Sequence, residues 1–527
     1  MDTSQRFYRS EEINRGSVYT PYNLARAMSS WAIRSESDSV LDPSSGDGVF
    51  LDAATERLLS LNPNCAPDIT GVDIDGDVTK KTGAIHSDFF AWDSLSKEFS
   101  VILGNPPYIR SHIFPKESKQ LANDLMKQIG VEPKSMMSSW VPFTAICAHM
   151  LQEGGRMAFV LPEELLTVQY SGPLREWLLA SIGDVTICPT GANVFTDAQV
   201  KPLIVLIEKK RGAGKLRRIS WEDFNEGKYS HSIESPALQC LNGKWTHVLM
   251  QPEDLLILSE INEELGWPAF SHYGRACVGV VSGNKSFFIR SATDFKDIPN
   301  RYLTDIVCNA VDLPGVIFTA SDLDELHGNS KRPSKLLTLE QKTNSKRVQK
   351  LIEEGESQEV HLGYKCRNRE PWFSVPSIYG CDAFMLRQSG EATRLILNRT
   401  DMTSNSTIHR VIWNDGVDGD AIVASFMNSF TLLMSEVLGR PYGGGVLTIV
   451  PGDANVIPFP PEKLLTSSHI VQLDKLIRNK DTQKAIELVD SCVLLETLGP
   501  ERLALLQSIR KRVADRRMGH KNQRTDS

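Results

Sequence analysis

The chain has 527 residues, 41% of them hydrophobic and 23% charged, enough apolar material for two to four packed domains. Its formal net charge of −7 excludes a protein coated uniformly in nucleic-acid-binding surface, so contact with a polyanion has to be local. The polar start MDTSQRFYRSEEINRG and the absence of a run of about 18 apolar residues predict a cytoplasmic protein with no signal peptide and no membrane partner, and nine cysteines without a C-x-x-C pair predict reduced thiols and no metal site.

In chain order, Thr20-Pro21 opens a helix in which Leu24, Ala27, Met28 and Trp31 share a face, with Thr20 as N-cap and Pro21 at the first helical position. From Val40 to about Lys210, the runs SVLD, DITGVDI, AIHSDF, SVILGN, GRMAFVLP, DVTICPT and KPLIVLIEK read as strands. They alternate with amphipathic helical segments such as Gly48 to Ser60 and Pro142 to Gln152, the pattern of a doubly wound, Rossmann-like α/β domain. We place that domain at residues 1–210 and, because RGAGKLRRIS has the Gly and charge content of a connection, a linker at 211–244. Residues 245–460 read as an α+β domain of short strands and Gly/Pro turns, with one charged helical insert near 334–355. Residues 461–527 read as two helices over about 462–515 and a basic tail. Basic residues cluster between Lys331 and Lys350 and between Arg510 and Arg524, although a solvated helix face accounts for each cluster alone.

The chemistry is concentrated in Asn105-Pro106-Pro107-Tyr108, directly after the apolar strand VILG, where an open α/β sheet presents its ligand edge. An adenine amino group is a poor nucleophile because its lone pair is delocalised into the ring. Two acceptors, the side-chain oxygen of Asn105 and the carbonyl of Pro106, can each take one N6 hydrogen and favour a tetrahedral nitrogen as it attacks a methyl carbon. Tyr108 can stack on the base. The competing reading is a rigid Asn-Pro turn with no chemistry.

Upstream, Asp42-Pro43-Ser44-Ser45-Gly46-Asp47-Gly48 joins the strand SVL to a helix, with glycines where the chain turns sharply and a ligand approaches backbone. It lacks the G-K-[ST] ending of a triphosphate loop. Asp73, at the end of DITGVD, can take ribose hydroxyls; Ile74 can lie against an adenine ring. Asp88, at the end of AIHSD, can accept from an adenine amino group, with Phe89 as an apolar wall. Each acid alone could equally be a strand-end turn residue.

The order Tyr19-Thr20-Pro21, DPSSGDGVFL, Asp73-Ile74, Asp88-Phe89, NPPY and VFTDAQVKP, followed by a separate C-terminal domain, resembles the gamma class of DNA adenine-N6 methyltransferases typified by the TaqI modification enzyme. In size and layout the chain is similar to the PstI and BsuBI modification enzymes of type II restriction-modification systems. The resemblance implies S-adenosylmethionine as cofactor, with Thr20 and the turn around Gly46 and Gly48 at its methionine end, Asp73 at the ribose, Asp88 with Phe89 at the adenine, and Asp42, Ile74 and Pro107 also among the cofactor-binding residues. It implies that Asn105, Pro106 and Tyr108 hold a target adenine flipped out of duplex DNA, with Phe195 closing the base's other face. Pro202 departs from the Thr that relatives often carry there. The segments from Cys277 to Ile289, Tyr364 to Pro376 and Gly439 to Pro460 look like target-recognition segments, which makes Lys285, Phe287, Arg440 and Tyr442 candidates for contacting bases or phosphates.

The implied function is site-specific methylation of adenine N6 as the modification component of such a system, with double-stranded DNA as partner and a separate cognate endonuclease on another polypeptide. Two alternatives remain at this level: a protein (glutamine) or RNA methyltransferase using the same NPPY chemistry, and a non-catalytic DNA-specificity module.

Overall fold

In a computed structural model of the chain, residues 20–92, 95–190, 202–235, 243–339, 345–442, 445–461, 465 and 467–518 are described. They divide into two compact units, Met1–Leu255 and Leu256–Ser527.

In the first unit all seven strands read from the sequence are present: β1 (Val40–Asp42), β2 (Ile69–Asp73), β3 (Ile85–His86), β4 (Phe99–Gly104), β5 (Leu151–Pro162), β6 (Gly183–Pro189) and β7 (Pro202–Lys209). Two more, β8 (Leu216–Arg218) and β9 (Ile233–Glu234), complete a nine-stranded sheet of order β3-β2-β1-β4-β5-β7-β6-β8-β9. Strands β1 to β5 run parallel, and β7 lies antiparallel between β5 and β6. The central strands are buried on both faces, hence their near-continuous Val, Ile and Leu. Alternate residues feed two cores: Val40, Val101, Leu103 and Val160 pack with α1 (Tyr22–Ala32) and α2 (Val49–Leu61), whereas Leu41, Ile102, Met157 and Phe159 pack with α4 (Lys116–Gln128) and α5 (Trp140–His149). Between them in the chain, the short α3 (Gly76–Thr82) is capped by Asp75, whose side chain accepts from the amides of Asp77 and Val78.

Three expectations need correction here. Helix α1 begins at Tyr22, with Pro21 in the N-cap position and no side-chain cap, one residue later than expected. Helix α5 is buried all round from Trp140 to Ala148 rather than amphipathic. Residues 211–244 are not a linker throughout: β8 pairs parallel with β6, β9 pairs antiparallel with β8, and the first unit continues to Leu255.

The second unit has a five-stranded, mainly antiparallel sheet in which Ile408–Trp413 lies between Gly274–Cys277 and Ala383–Leu386, followed outward by Leu395–Asn398 and Ile317–Phe318. Smaller sheets of four and three strands accompany it, which fits the expected α+β content. The charged insert is shorter than expected, a helix over Lys346–Ser357, because Lys335–Leu337 is a strand. The end of the chain folds as Ser467–Arg478, Thr482–Val493 and Leu495–Met518, the last broken at Gly499, and belongs to this same unit. Among the described residues no single helix is long and apolar enough to cross a membrane, and no cluster of potential metal ligands occurs.

Candidate functional site

Strand order reverses at β1, which lies between β2 and β4, so the carboxyl ends of β1 and β4 lie side by side at the point where open α/β sheets bind ligands. The register Val40↔Val101 and Leu41↔Ile102 brings the turn after Asp42 against the tetrapeptide after Gly104. Gly104 makes that approach possible. A Cβ there would lie 3.2 Å from Asp42 Oδ1 and 3.3 Å from both Pro43 Cδ and Phe159 Cε1.

The turn itself depends on two left-handed glycines, Gly46 at φ 49° and Gly48 at φ 87°, a region costly for other residues. Three of its amides are fastened: Ser45 N donates to Val72 O at 3.0 Å, Gly46 N to Asp73 Oδ2 at 2.9 Å, and Gly48 N to Ser45 O at 2.8 Å. Asp73 accepts a second amide, from Asp75, on Oδ1, so it fastens the turn to the end of β2. Ile74, beside it, is 67% exposed, an apolar side chain in solvent at the ligand edge.

Asp42 is buried, with Oδ1 accepting from Ser44 N at 3.1 Å. Burial, reinforced by the negative charges of Asp73 and Asp47, pushes its carboxyl up to about 8. Asp42 Oδ2 and Ser45 Oγ are buried without a hydrogen-bond partner among the described residues.

Asn105 Nδ2 donates to Thr20 Oγ1 at 3.1 Å, which orients the carboxamide so that its oxygen is the end turned away from Thr20. Ser139, fully buried, closes the other side of the loop. It donates through Oγ to the Pro107 carbonyl, accepts from Ile109 N at 2.9 Å, and donates its own amide to Ile109 O at 3.0 Å. Ser139 thus engages the carbonyl of Pro107 rather than that of Pro106. Tyr108 is half-buried: its hydroxyl donates to Val160 O at 3.0 Å, and burial drives that hydroxyl above the ordinary tyrosine range. The ring is therefore fixed at its tip while keeping partial exposure.

Thr20, Asp42, Gly46, Gly48, Asp73, Asn105, Pro106, Pro107 and Tyr108 thus come together at one sheet edge. Thr20 touches Asn105, an arrangement that sequence separation conceals. Asp88 is occupied, accepting from Ser118 Oγ at 2.5 Å and Phe90 N at 2.9 Å. Phe89 is a core residue, 3% exposed and stacked on Phe143 with centroids 4.9 Å apart, which leaves little of it to serve as a ligand wall. Phe195 lies outside the described residues.

In the second unit, Lys285 is exposed on a short helix capped by Asn284. Contrary to the expectation of a base contact, Phe287 is not at a surface: it is 2% exposed, against Phe288 and Trp372. Arg440 is half-buried, 3.6 Å from Asp453 Oδ2. The side chain of Tyr442 lies outside the described residues.

Residues 52–195 match the Eco57I restriction-modification methylase family, and residues 242–494 match the C-terminal domain of type II methyltransferase M.Eco57I. By both matches the chain is similar to the type II restriction-modification methyltransferases. This methyltransferase is 23% identical over 513 residues to type II methyltransferase M.AccI of Acinetobacter calcoaceticus, covering 90% of this chain and 92% of that protein. It is 21% identical over 462 residues to M.XamI of Xanthomonas campestris pv. amaranthicola, covering 84% and 85%. Among solved structures, the DNA complex of the type IIL restriction-modification enzyme MmeI is similar at a TM-score of 0.56 and 13% identity, covering 97% of this chain and 77% of that one, a likeness of fold. The doubly wound, Rossmann-like core expected from the strand pattern, followed by an α+β domain, is the fold observed.

Proposed function

We propose that this methyltransferase transfers a methyl group from S-adenosylmethionine to N6 of an adenine flipped out of duplex DNA. The observation that carries the reading is the pairing of Asn105, oriented by Thr20, with a glycine-dependent turn at the adjoining strand end. The residues fit the cofactor: two glycines let a ligand approach backbone, Ile74 offers an exposed apolar surface, and Asp42 Oδ2 and Ser45 Oγ hold unused hydrogen-bonding capacity. When bound, the cofactor supplies an electrophilic methyl on a cationic sulfur, a charge that the acids Asp42, Asp47 and Asp73 favour.

The chain's own groups then act on the base. Asn105 Oδ1 and the Pro106 carbonyl would accept hydrogen bonds from the two N6 hydrogens, drawing the lone pair out of conjugation; as N6 takes the methyl group, the donor's S–CH3 bond would break to leave a neutral thioether and N6 would give up one proton. Tyr108, pinned at Val160, stacks on the ring. Extrusion is needed because the amino nitrogen inside a stacked duplex cannot meet the donor in line. We assign target recognition to the second unit, since residues 242–494 match the C-terminal domain of M.Eco57I. DNA cleavage we assign to a separate endonuclease, because the relatives matched along most of their length are named as methyltransferases.

The test is single-molecule sequencing of DNA from cells expressing the chain, together with transfer of labelled methyl to duplex DNA, protein and RNA. N6-methyladenine in one sequence context is expected; label confined to protein or RNA, or placed on cytosine, would defeat the reading.

Ser139→Ala should separate positioning from folding. Losing the clamp leaves the Pro107 carbonyl and Ile109 amide without that partner, at about 1–3 kcal/mol of stability. Loosening of the loop should also lower kcat about tenfold well below the unfolding transition, with cofactor affinity unchanged. A variant that melts earlier but turns over at the wild-type rate would make Ser139 a purely structural residue.

A further inference from the structure

Four residues of the basic clusters conspicuous in the sequence are paired with carboxylates of the second unit. Arg332 pairs with Asp312 at 3.3 Å, Lys335 with Asp305 at 2.6 Å, Arg347 with Asp297 at 3.7 Å, and the buried Arg517 with Glu436 at 2.7 Å. A different place carries uncompensated charge. At the turn containing Tyr364, Lys365 and Arg367 all three side chains are exposed. Lys365 Nζ and Arg367 Cζ lie 5.6 and 5.4 Å from the Tyr364 ring centroid, and neither cation has a carboxylate partner among the described residues.

This tip is rigidly founded. Arg367 N donates to Gly363 O at 2.9 Å and Asn368 Nδ2 to Tyr364 O at 2.6 Å, while Cys366 is fully buried beneath. Arg369 donates to the carbonyls of Ser282 at 2.7 Å and Val281 at 2.8 Å, tying the tip to the loop that exposes Val278 and Val281. A Cβ on Gly283, at φ 93°, would lie 3.0 Å from Cys366 Sγ and 3.1 Å from Lys365 Cβ, so the two loops meet closely. The 2%-exposed Arg410 donates to Val278 O at 3.0 Å and Ser377 O at 2.8 Å.

We propose that Lys365 and Arg367, both lying beside the Tyr364 ring, form a phosphate clamp that grips the backbone of duplex DNA. The inference rests on the DNA reading above and adds the surface that supplies affinity. Two cations already lying beside one aromatic ring lose little freedom on binding. Long side chains with no neighbouring carboxylate neutralise phosphates, and the amide of Asn368, the neighbouring side chain that could pair with an adenine, donates to the turn itself. The clamp therefore contributes affinity without sequence preference.

The test is binding of full-length protein to a fluorescein-labelled random-sequence duplex between about 50 and 200 mM salt. For Lys365→Ala/Arg367→Ala the slope of log K against log salt should shrink by about 1.8, or roughly 0.9 for each phosphate that is no longer neutralised. Tyr364→Leu, which keeps both cations, should weaken binding with a smaller change of slope. Lys346→Ala/Lys350→Ala removes the same net charge from an exposed helix and should leave the slope as it was. An unchanged slope in the first variant, or an equal drop in the control, overturns the clamp. The wild type decides the parent reading separately, since failure to bind the duplex or to methylate DNA would defeat that reading as well.

Discussion

Replacing Asn105 with alanine should lower kcat by about 10²–10³-fold while leaving the affinity for S-adenosylmethionine nearly intact. The magnitude is that of removing one preorganised polar partner from a developing charge, about 3–4 kcal/mol. The selectivity follows from where the group sits. Asn105 is oriented by its side-chain bond to Thr20 at 3.1 Å, whereas the cofactor turn is fastened by backbone amides to Asp73 and Val72, so truncation at 105 leaves those fastenings in place. Asp73→Ala should behave in the opposite way, weakening cofactor binding first, because the amides of Gly46 and Asp75 lose their common acceptor. Calorimetric titration of cofactor beside single-turnover rates distinguishes the two. Equal loss of binding and rate in Asn105→Ala would mean that the residue faces the donor rather than the base.

Thr20 illustrates how far the sequence could be read. Its place ahead of a helix drew attention, and resemblance assigned it to the cofactor; only the folded chain shows its hydroxyl accepting from Asn105, 85 residues away. The strands were legible because parallel strands buried on both faces are continuous apolar runs bounded by turns. Their pairing directions were not, and the antiparallel insertion of β7 between β5 and β6 has no local signature. The linker expected from Arg211 was misplaced for a physical reason. Gly214 is there because a Cβ would fall 1.7 Å from Gly183 O, so the glycine serves close backbone packing at a strand junction, not chain flexibility. Ser139 was hidden for a related reason: a serine before an apolar helix looks like an ordinary helix start, and nothing nearby in the chain marks the loop that it clamps. Phe287 was misread because a Gly-containing segment suggested an exposed loop, while the run FFI is long enough to bury itself against Trp372.

The second large effect concerns Asp42 and has a definite sign. Folding raises its carboxyl from an ordinary value of 3.8 to about 8, chiefly because burial penalises the anion. Between about pH 4 and pH 8 the folded cofactor-free protein therefore holds a proton that the unfolded chain has released. Stability contributed by this group is complete below pH 4 and declines by about 1.4 kcal/mol per pH unit until pH passes about 8, on the order of 5 kcal/mol in all. Asp42→Asn keeps the oxygen that accepts from Ser44 N and removes the ionisation, so its advantage over wild type should grow steadily from pH 5 to pH 8.5 in urea denaturation and then level off. Cofactor binding should run in the opposite sense. A cation placed near Asp42, Asp47 and Asp73 favours the carboxylate, so wild-type affinity should rise with pH across the same interval and binding should release a proton, while the asparagine variant shows a flatter profile. Parallel denaturation profiles for the two proteins would mean that Asp42 is already ionised in the folded state, and that the acids at this strand end are compensated by some group other than the cofactor.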